Sequence, residues 1–304
     1  MAIIKPAVKL ILREARHYNF SGPVLTLGVP EIYATPSECI NWFPALTGQY
    51  CDVPLAEMGL STNETGQKLG WISASTFFRL LRLKDVVSVD ILGCEHVPDL
   101  VHDLNQPFPS QLLNRFGMII DPGTIEHVFD MKTCLSNLVR ALKVGGVVIH
   151  QVPNYSYNGG YFSINPNVLH DFYRANGFSD LKAYLILWDR YHAYTGEHLC
   201  YEYSDSVMGA RNALASSDLC RYQPMILFFA RKTTELSEIV VPLQHENHYA
   251  FRDEVLSSSS PSVHLGQTLN EILNRIPFPL AHSIRTRLKR MRMRMRSSNL
   301  AFRI

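Results

Sequence analysis

Short apolar segments alternate with segments of helical periodicity along most of this chain, and this alternation restricts its fold more than any other feature. Seven segments have the composition of β-strands, namely 24–28, 85–91, 99–105, 116–121, 147–153, 181–188 and 225–232. Apolar residues at helical spacing lie between several of them, for example over 73–83 and 131–142. The pattern predicts an α/β fold with a doubly wound, mostly parallel, seven-stranded sheet and helices on both faces. Ligands of such sheets bind beyond the carboxyl ends of the strands.

The domain organisation follows from where this alternation begins and stops. Residues 1–235 are predicted to form the α/β domain, with an irregular insertion at 36–70 that contains three prolines and four glycines and has room for one short helix. Residues 236–264 include the low-complexity stretch LSSSSPS and are interpreted as a linker. Helical spacing resumes in 265–304, which predicts a C-terminal helical extension.

Charge is distributed unevenly along the 304 residues. The segment 285–296 holds seven Lys and Arg residues and no acid, and without it the chain has 22 basic against 27 acidic residues. Residues Ile284, Leu288, Met291 and Met295 would line one side of a helix here, so residues 284–296 could contact an anionic membrane surface. A solvated tail is the alternative. Nucleic acid is disfavoured as a partner because no aromatic residue interrupts the run.

Cellular location is inferred from charges near the N-terminus and from the cysteines. Lys5, Lys9 and Arg13 interrupt the apolar residues that a secretory signal would need. The six cysteines form no CxxC pair, which is typical of reduced thiols. We therefore expect a cytoplasmic protein, at most peripheral at a membrane, with no structural metal.

Acidic residues and one glycine fall at the predicted strand ends. Gly28 follows the first strand, Asp90 ends the second, Asp103 follows the third and Asp121 ends the fourth. A carboxylate at the end of a second strand can accept hydrogen bonds from both hydroxyls of a ribose. Taken alone, Asp90 would more readily be interpreted as a capping or loop residue.

The ordered set of these segments resembles a known family. The segments SVDILGCEHVPDLVHDLNQPFP, FGMIIDPGTIEHVFD and LVRALKVGGVVIHQVPN follow each other as in class I S-adenosylmethionine-dependent methyltransferases of the methyltransferase type 11 group. The later GGYFSINPNVLHDFYRANGF is similar to a segment that follows strand five in many of these enzymes. The resemblance covers residues 22–190, and it implies a Rossmann-like methyltransferase fold with S-adenosyl-L-methionine as cofactor.

The resemblance also implies roles for individual residues. Asp90, with its neighbour Ile91, would hold the ribose of the cofactor. Asp103 and the backbone of Leu104 would meet the adenine edge. The floor near the methionine portion would be formed by Asp121 and Pro122, and Gly28 would let the backbone approach that portion closely.

The first turn departs from the family pattern. Class I enzymes usually have an acid and a Gly-x-Gly-x-Gly loop after strand one, whereas this chain has only Gly28 in the sequence TLGVP. Either the insertion helps to bind the cofactor by another route, or cofactor binding is weakened or lost. The same departure argues against NAD, because a pyrophosphate needs crowded backbone NH groups and Pro30 removes one.

Two residues after the fourth strand are candidates for catalysis. His127 could act as general base toward a hydroxyl or amine, with Glu126 orienting it. A histidine bonded to backbone at a helix start is an equally good interpretation of His127. Together with Asp121 the pair could also ligate a divalent ion, although consecutive ligands need a special geometry, and we predict no metal.

The acceptor is not encoded in a recognisable motif. His150, Asn154, Tyr155 and Tyr157 follow strand five and could line an acceptor pocket, although each could equally be a packing residue. We expect methyl transfer to a small-molecule or glycan-type acceptor. The alternative is a catalytically inactive methyltransferase-like protein that serves as a binding or scaffold module through its basic tail.

Overall fold

The computed structural model describes residues 1–91, 97–155, 159–189, 198–203, 222–242 and 300–303. The helices are α1 (Lys5–Tyr18), α2 (Pro36–Thr47), α3 (Glu64–Leu69), α4 (Ala74–Leu80), α5 (Met131–Ala141) and α6 (Pro166–Ala175). The strands are β1 (Ala2–Ile3), β2 (Val24–Leu27), β3 (Glu31–Ile32), β4 (Val86–Asp90), β5 (Leu100–Val101), β6 (Phe116–Asp121), β7 (Leu142–Pro153), β8 (Phe178–Asp189), β9 (Leu199–Tyr203), β10 (Tyr222–Lys232) and β11 (Leu300–Arg303). Short 3-10 helices lie at Leu55–Glu57, Ser110–Leu112 and Ile125–His127.

The main sheet is doubly wound, as predicted. Among the described residues its strand order is β11-β9-β8-β10-β7-β6-β2-β4-β5. The chain proceeds outward from β2 through β4 to β5 and then returns to β6 on the other side, so the strand order reverses between β2 and β6. Neighbours from β5 to β7 pair in parallel, whereas β10 is antiparallel to both β7 and β8. Strand β8 therefore runs in the same direction as β7, and the sheet is mostly parallel.

Two apolar layers lie on opposite faces of this sheet, because successive residues of a strand point to opposite sides. One layer contains Val24, Met118 and Ile149 and packs against α1, α2 and α4. The other contains Leu25, Ile119 and Val148 and packs against α5 and α6. Helices thus cover both faces, which leaves the ends of the strands as the place where a ligand can reach the sheet.

The strand count and the insertion differ from the prediction. Nine strands rather than seven form the main sheet among the described residues, and β1 pairs with β3 in a separate two-stranded sheet. The insertion 36–70 is largely helical rather than irregular, because it contains α2 and α3. Thr35 and Glu38 form a reciprocal capping box at the start of α2, and Asn63 caps α3.

The glycine pair after α5 also differs from the prediction. A pair of glycines after a helix typically ends it, but α5 already ends at Ala141, and β7, which contains Gly145 and Gly146, begins at Leu142. The pairing of β6 with β7 shifts register between Phe116 and Met118, so the two glycines lie in an irregularity of the strand.

A buried lysine completes the end of α5. The ammonium of Lys232 donates to the carbonyls of Val139 and Leu142 at 3.0 and 2.8 Å, and it pairs with Glu235. These bonds satisfy carbonyls at the end of a helix that otherwise have no partner inside it.

The N-terminal segment crosses the carboxyl ends of the central strands. Strand β1 pairs in parallel with β3. The side-chain amide of Gln151, in β7, donates to the carbonyl of Ala2 at 2.7 Å and accepts from the NH of Ile4 at 3.0 Å. Gln151 is buried, so the segment is fastened from inside the sheet.

The chain divides into two compact units, residues 1–240 with 302–304, and residues 241–301. Nearly all of the second unit lies outside the described residues, as do the predicted linker core and the basic helix 284–296. In the part of the chain that the structure describes, no helix has the length and apolar character needed to span a bilayer.

Candidate functional site

The site lies at the carboxyl ends of β2, β4, β5 and β6, beside the point where the strand order reverses. The NH of Gly28 donates to the carbonyl of Val89 at 2.6 Å, and the NH of His102 donates to the carbonyl of Asp90 at 2.9 Å. The first bond continues the pairing of β2 with β4 one residue beyond β2, and the second continues the pairing of β4 with β5 one residue beyond β5. Gly28, Asp90 and Asp103 are thereby held on adjacent strand tips, as the sequence predicts.

Gly28 adopts a backbone conformation that favours glycine. Its φ is +81°, in the left-handed region. A Cβ at this position would collide with the sulfur and terminal methyl of Met1 and would lie 3.3 Å from Oδ2 of Asp90. The missing side chain therefore opens a space that is bounded by a carboxylate and filled by a methionine thioether.

Thr124 completes the surroundings of that thioether, and the sequence gives no signal that would have identified it. Its hydroxyl lies 2.7 Å from the sulfur of Met1 and 2.7 Å from the carbonyl of Leu27. The NH of Glu31 donates to the carbonyl of Met1 at 3.1 Å. Side chain and backbone of Met1 are thus both held at the end of β2.

The remaining residues of the predicted ribose and adenine sites have different exposures. Oδ1 of Asp90 accepts from the NH of Ile91 at 2.8 Å, and Ile91 itself is 57% exposed. Asp103 accepts from the backbone and side chain of Asn105, and these hydrogen bonds lower the pKa of its carboxyl. Leu104 is buried. Asp90 keeps its second oxygen directed toward Gly28, whereas Asp103 is bonded to its own turn.

The resemblance implies that Asp121 lines the floor near the methionine portion, but its side chain is directed into the protein. It is fully buried, and its Oδ2 lies 2.7 Å from Nδ1 of His150. Nε2 of the same histidine lies 2.7 Å from the hydroxyl of Tyr173. The other carboxylate oxygen, Oδ1, accepts from the NH groups of Thr124 and Ile125. The carboxylate thus holds the turn after β6 from inside, and Pro122 beside it is also buried.

His150 is a correction to the predicted acceptor pocket. It is fully buried between Asp121 and Tyr173 and cannot contact an acceptor. Burial raises the pKa of Tyr173 well above its ordinary value, so its hydroxyl stays protonated and can donate to Nε2 of His150. A neutral imidazole with its proton on Nδ1 then satisfies all three side chains.

Two more candidates for the acceptor pocket are half-buried. Asn154 donates from its side chain to the carbonyl of Ile164 at 2.7 Å, and Tyr155 packs against one apolar layer. Tyr157 lies outside the described residues.

Glu126 and His127 are separated by their environments. His127 is exposed, whereas Glu126 is only 5% exposed. The Oε2 atom of Glu126 has no hydrogen-bond partner among the residues that the structure describes. Burial, and secondarily the charge of Asp121, raises the pKa of Glu126 to about 8. The structure shows no bond by which Glu126 would orient His127, and the raised pKa means that the carboxyl of Glu126 changes its protonation state near pH 8.

Two glycines let the chain approach Glu126. A Cβ on Gly123 would lie 3.1 Å from Oε1 of Glu126, and a Cβ on Gly160 would lie 2.9 Å from its Cγ. The carboxyl is thus enclosed between the turn after β6 and the loop after β7. Among the described residues, no cluster of three or more His, Cys, Asp and Glu side chains could hold a metal ion.

The described residues fit the methionine and ribose portions of S-adenosylmethionine in part. The space at Gly28 accepts a thioether with its methyl group, and Asp90 presents a carboxylate oxygen to the same space. In this conformation Met1 fills the space, so a cofactor could enter only after Met1 has moved.

The sequence matches no protein-family model and no curated protein. It is similar to solved structures at low identity. A methyltransferase from Archaeoglobus fulgidus, described as SAM-dependent, shares 14% identity over 74% of this chain and 94% of its own, with a TM-score of 0.37.

Two further similar structures hold the cofactor or its product. The 1,6-didemethyltoxoflavin-N1-methyltransferase of Burkholderia thailandensis, with S-adenosylhomocysteine, shares 13% identity over 76% of this chain and 78% of its own (TM-score 0.35). The phosphoethanolamine N-methyltransferase 2 of Haemonchus contortus, with S-adenosylmethionine, shares 13% identity over 74% and 52% (TM-score 0.34). The doubly wound α/β architecture that the family resemblance implies is confirmed for this chain by the order and directions of its own strands.

Proposed function

We propose that this protein transfers a methyl group from S-adenosylmethionine to a small-molecule or glycan-type acceptor. One observation carries the proposal: a methionine thioether and a carboxylate oxygen of Asp90 border the same space at Gly28. The product form of the cofactor would bring a thioether to the same space. Its ribose lies next to the thioether, and the ribose hydroxyls can donate to a carboxylate.

The roles of the binding residues follow from their positions. Gly28 would lie under the methionine portion and Asp90 would accept from the ribose hydroxyls, beside Ile91. Asp103 and the backbone of Leu104 would border the adenine, at the next strand tip. Pro122 would lie below the methionine portion, whereas Asp121 would act indirectly, by holding the turn that carries Thr124.

The chemistry needs little from the protein beyond alignment. When bound, the cofactor supplies a methyl group on a positively charged sulfur, which a nucleophile can displace. The chain must hold the acceptor in line and exclude water. In its ionised form, which becomes the major one only above about pH 8, Glu126 would take the proton from an acceptor hydroxyl or amine through its unpartnered oxygen. His127 is exposed and would assist at the rim of the site.

The position of Met1 favours the second candidate function, a binding or scaffold protein without catalysis. In the described conformation the thioether of Met1 occupies the space that the cofactor would need. If that arrangement is permanent, the fold would serve only as a module, and its activity would depend on other surfaces such as the basic segment 284–296. Membrane contact by that segment and a cytoplasmic location remain predictions.

Binding of S-adenosylhomocysteine separates the two candidates. We expect isothermal titration calorimetry to show saturable binding to the full chain. Replacing the ribose-binding carboxylate in Asp90→Asn should weaken it at least about tenfold, which corresponds to roughly 1.4 kcal/mol. Asp85→Asn is the matched control, because Asp85 is exposed and stands just before the amino end of the same strand. Its affinity should equal that of the unmodified protein.

Further variants test the assigned roles. Glu126→Gln and His127→Ala should keep the affinity for S-adenosylhomocysteine, because the nearest neighbours of the space at Gly28 are Met1 and Asp90. Absence of heat up to millimolar ligand would favour the non-catalytic module. Equal loss in Asp90→Asn and Asp85→Asn would show that the ligand binds elsewhere.

A further inference from the structure

Two exposed aromatic side chains stand together beside Glu126. Phe129 is 73% exposed and Tyr161 is 69% exposed. Their ring centroids are 5.6 Å apart and the rings are nearly perpendicular, at 88°. Single exposed apolar residues are common on protein surfaces, but adjacent ones mark interaction sites more often. We call these two residues the aromatic pair.

Backbone contacts fix the aromatic pair relative to the candidate base. The NH of Tyr161 donates to the carbonyl of Glu126 at 2.8 Å, and the NH of Phe162 donates to the same carbonyl at 3.2 Å. Gly160 permits this approach, since a Cβ there would overlap Glu126. Phe129 follows Glu126 by three residues, at the end of the same turn. The pair and the buried carboxyl therefore form one local unit.

The chemistry of this unit restricts what it can hold. The two rings offer one face and one edge, which suits a flat apolar surface and does not enclose a cation on several sides. Because the pKa of Glu126 is raised to about 8, the carboxyl is largely uncharged at neutral pH and offers a hydrogen bond rather than an ion pair. Asp130, exposed at the start of α5, disfavours an anion nearby.

We propose that the aromatic pair is the subsite that binds the acceptor, and that it takes an uncharged six-membered ring with a flat apolar face and a hydroxyl group. Both a phenol and a pyranose have this chemistry. The hydroxyl would be directed to Glu126, whose main-chain carbonyl accepts from the NH of Tyr161 and whose Oε2 has no partner among the described residues. The inference rests on the proposed methyl transfer only in that the bound ring is taken to be the methyl acceptor. Ring binding itself can be measured without the cofactor.

The test is ligand-observed NMR on the full chain, with p-cresol and methyl β-D-glucopyranoside as uncharged probes and tyramine as a cationic one. We expect saturable binding of at least one uncharged probe below about 10 mM. Phe129→Ala and Tyr161→Ala should each weaken it about fivefold. Tyr50→Ala is the control, because Tyr50 is 90% exposed and lies in the insertion. All three variants remove exposed rings and should keep the melting temperature.

Tighter binding of p-cresol would identify the ring as a phenol, and tighter binding of methyl β-D-glucopyranoside would identify it as a pyranose. The proposal is overturned if neither uncharged probe binds, if the loss in Tyr50→Ala equals that in the pair, or if tyramine binds more tightly than both. S-adenosylhomocysteine is titrated into the same preparations. Cofactor binding without ring binding would overturn this subsite alone, whereas ring binding without cofactor binding would remove the methyl transfer and keep the subsite.

Discussion

Asp121 and Glu126 are two carboxylates, five positions apart at the end of β6, that are buried to nearly the same degree. Asp121 has partners for both oxygens, from His150 and from two backbone NH groups. Glu126 leaves Oε2 without a partner among the described residues, and its pKa is raised. Burial alone does not decide how a carboxylate titrates. The number of hydrogen bonds that each carboxylate receives separates Asp121 from Glu126.

Asp121→Ala should give the largest effect. The substitution leaves Nδ1 of His150 and the NH groups of Thr124 and Ile125 without their acceptor in a fully buried place. We expect a loss of about 3–5 kcal/mol in the free energy of unfolding, measured by urea denaturation. Asp103→Ala is the comparison, because Asp103 is exposed and accepts hydrogen bonds from Asn105, two residues later in the same turn. A loss below about 1 kcal/mol for Asp121→Ala would contradict the structural role.

Tyr173→Phe should give an intermediate effect. It removes only the hydroxyl and leaves Nε2 of His150 without a partner in the core. The expected loss is about 1–3 kcal/mol, again from urea denaturation. Tyr50→Phe removes the same atom from an exposed ring and should change stability by less than about 0.5 kcal/mol. Equal losses in the two variants would mean that the hydrogen bond to His150 contributes nothing.

Glu126→Gln should give the smallest effect and one that depends on pH. The folded protein holds the proton of Glu126 up to a pKa of about 8, whereas the unfolded chain releases it near the ordinary value of 4.5. Unfolding therefore releases a proton between these values, so this group's stability contribution is complete below about pH 4.5 and is lost as the pH rises through 8. Asp121 and the terminal ammonium of Met1 are the charges that act on it.

The measurement is the difference in free energy of unfolding, variant minus unmodified protein, at pH 5, 7 and 9. This difference should increase with pH by about 1 kcal/mol or more. Glu64→Gln is the control, because Glu64 is exposed in α3 and should give a difference that stays flat. A decrease with pH would mean that Glu126 is stabilised as an anion.

Much of the scaffold could be predicted from the sequence because its signals are local. Alternating strands and helices, and the acids that end strands, are visible within short windows, and they placed Gly28 and Asp90 at adjacent tips. The insertion is an exception, because its prolines and glycines predict irregular structure where α2 and α3 form. Pro36 instead occupies the first turn of α2, and the pair Thr35 and Glu38 was the available signal of a helix start.

The contents of the site could not be predicted, since they depend on residues far apart in the chain. Met1 meets Gly28 only because β1 pairs with β3 and because Gln151 reaches the segment from β7. The inward turn of Asp121 depends on His150, 29 positions later, and on Tyr173 beyond it. No spacing rule relates such positions, so the sequence could identify the acid but not the direction of its side chain.

The two hydrogen bonds between Gln151 and the N-terminal segment have a consequence for cooperativity. One amide satisfies both the carbonyl of Ala2 and the NH of Ile4, so neither can separate without leaving a buried polar atom of Gln151 unpaired. Release of residues 1–4 would therefore occur as a single step with a definite threshold rather than by gradual fraying from the end. A ligand that enters at Gly28 displaces the end of the Met1 side chain, and it meets that threshold only if residues 1–4 leave as well.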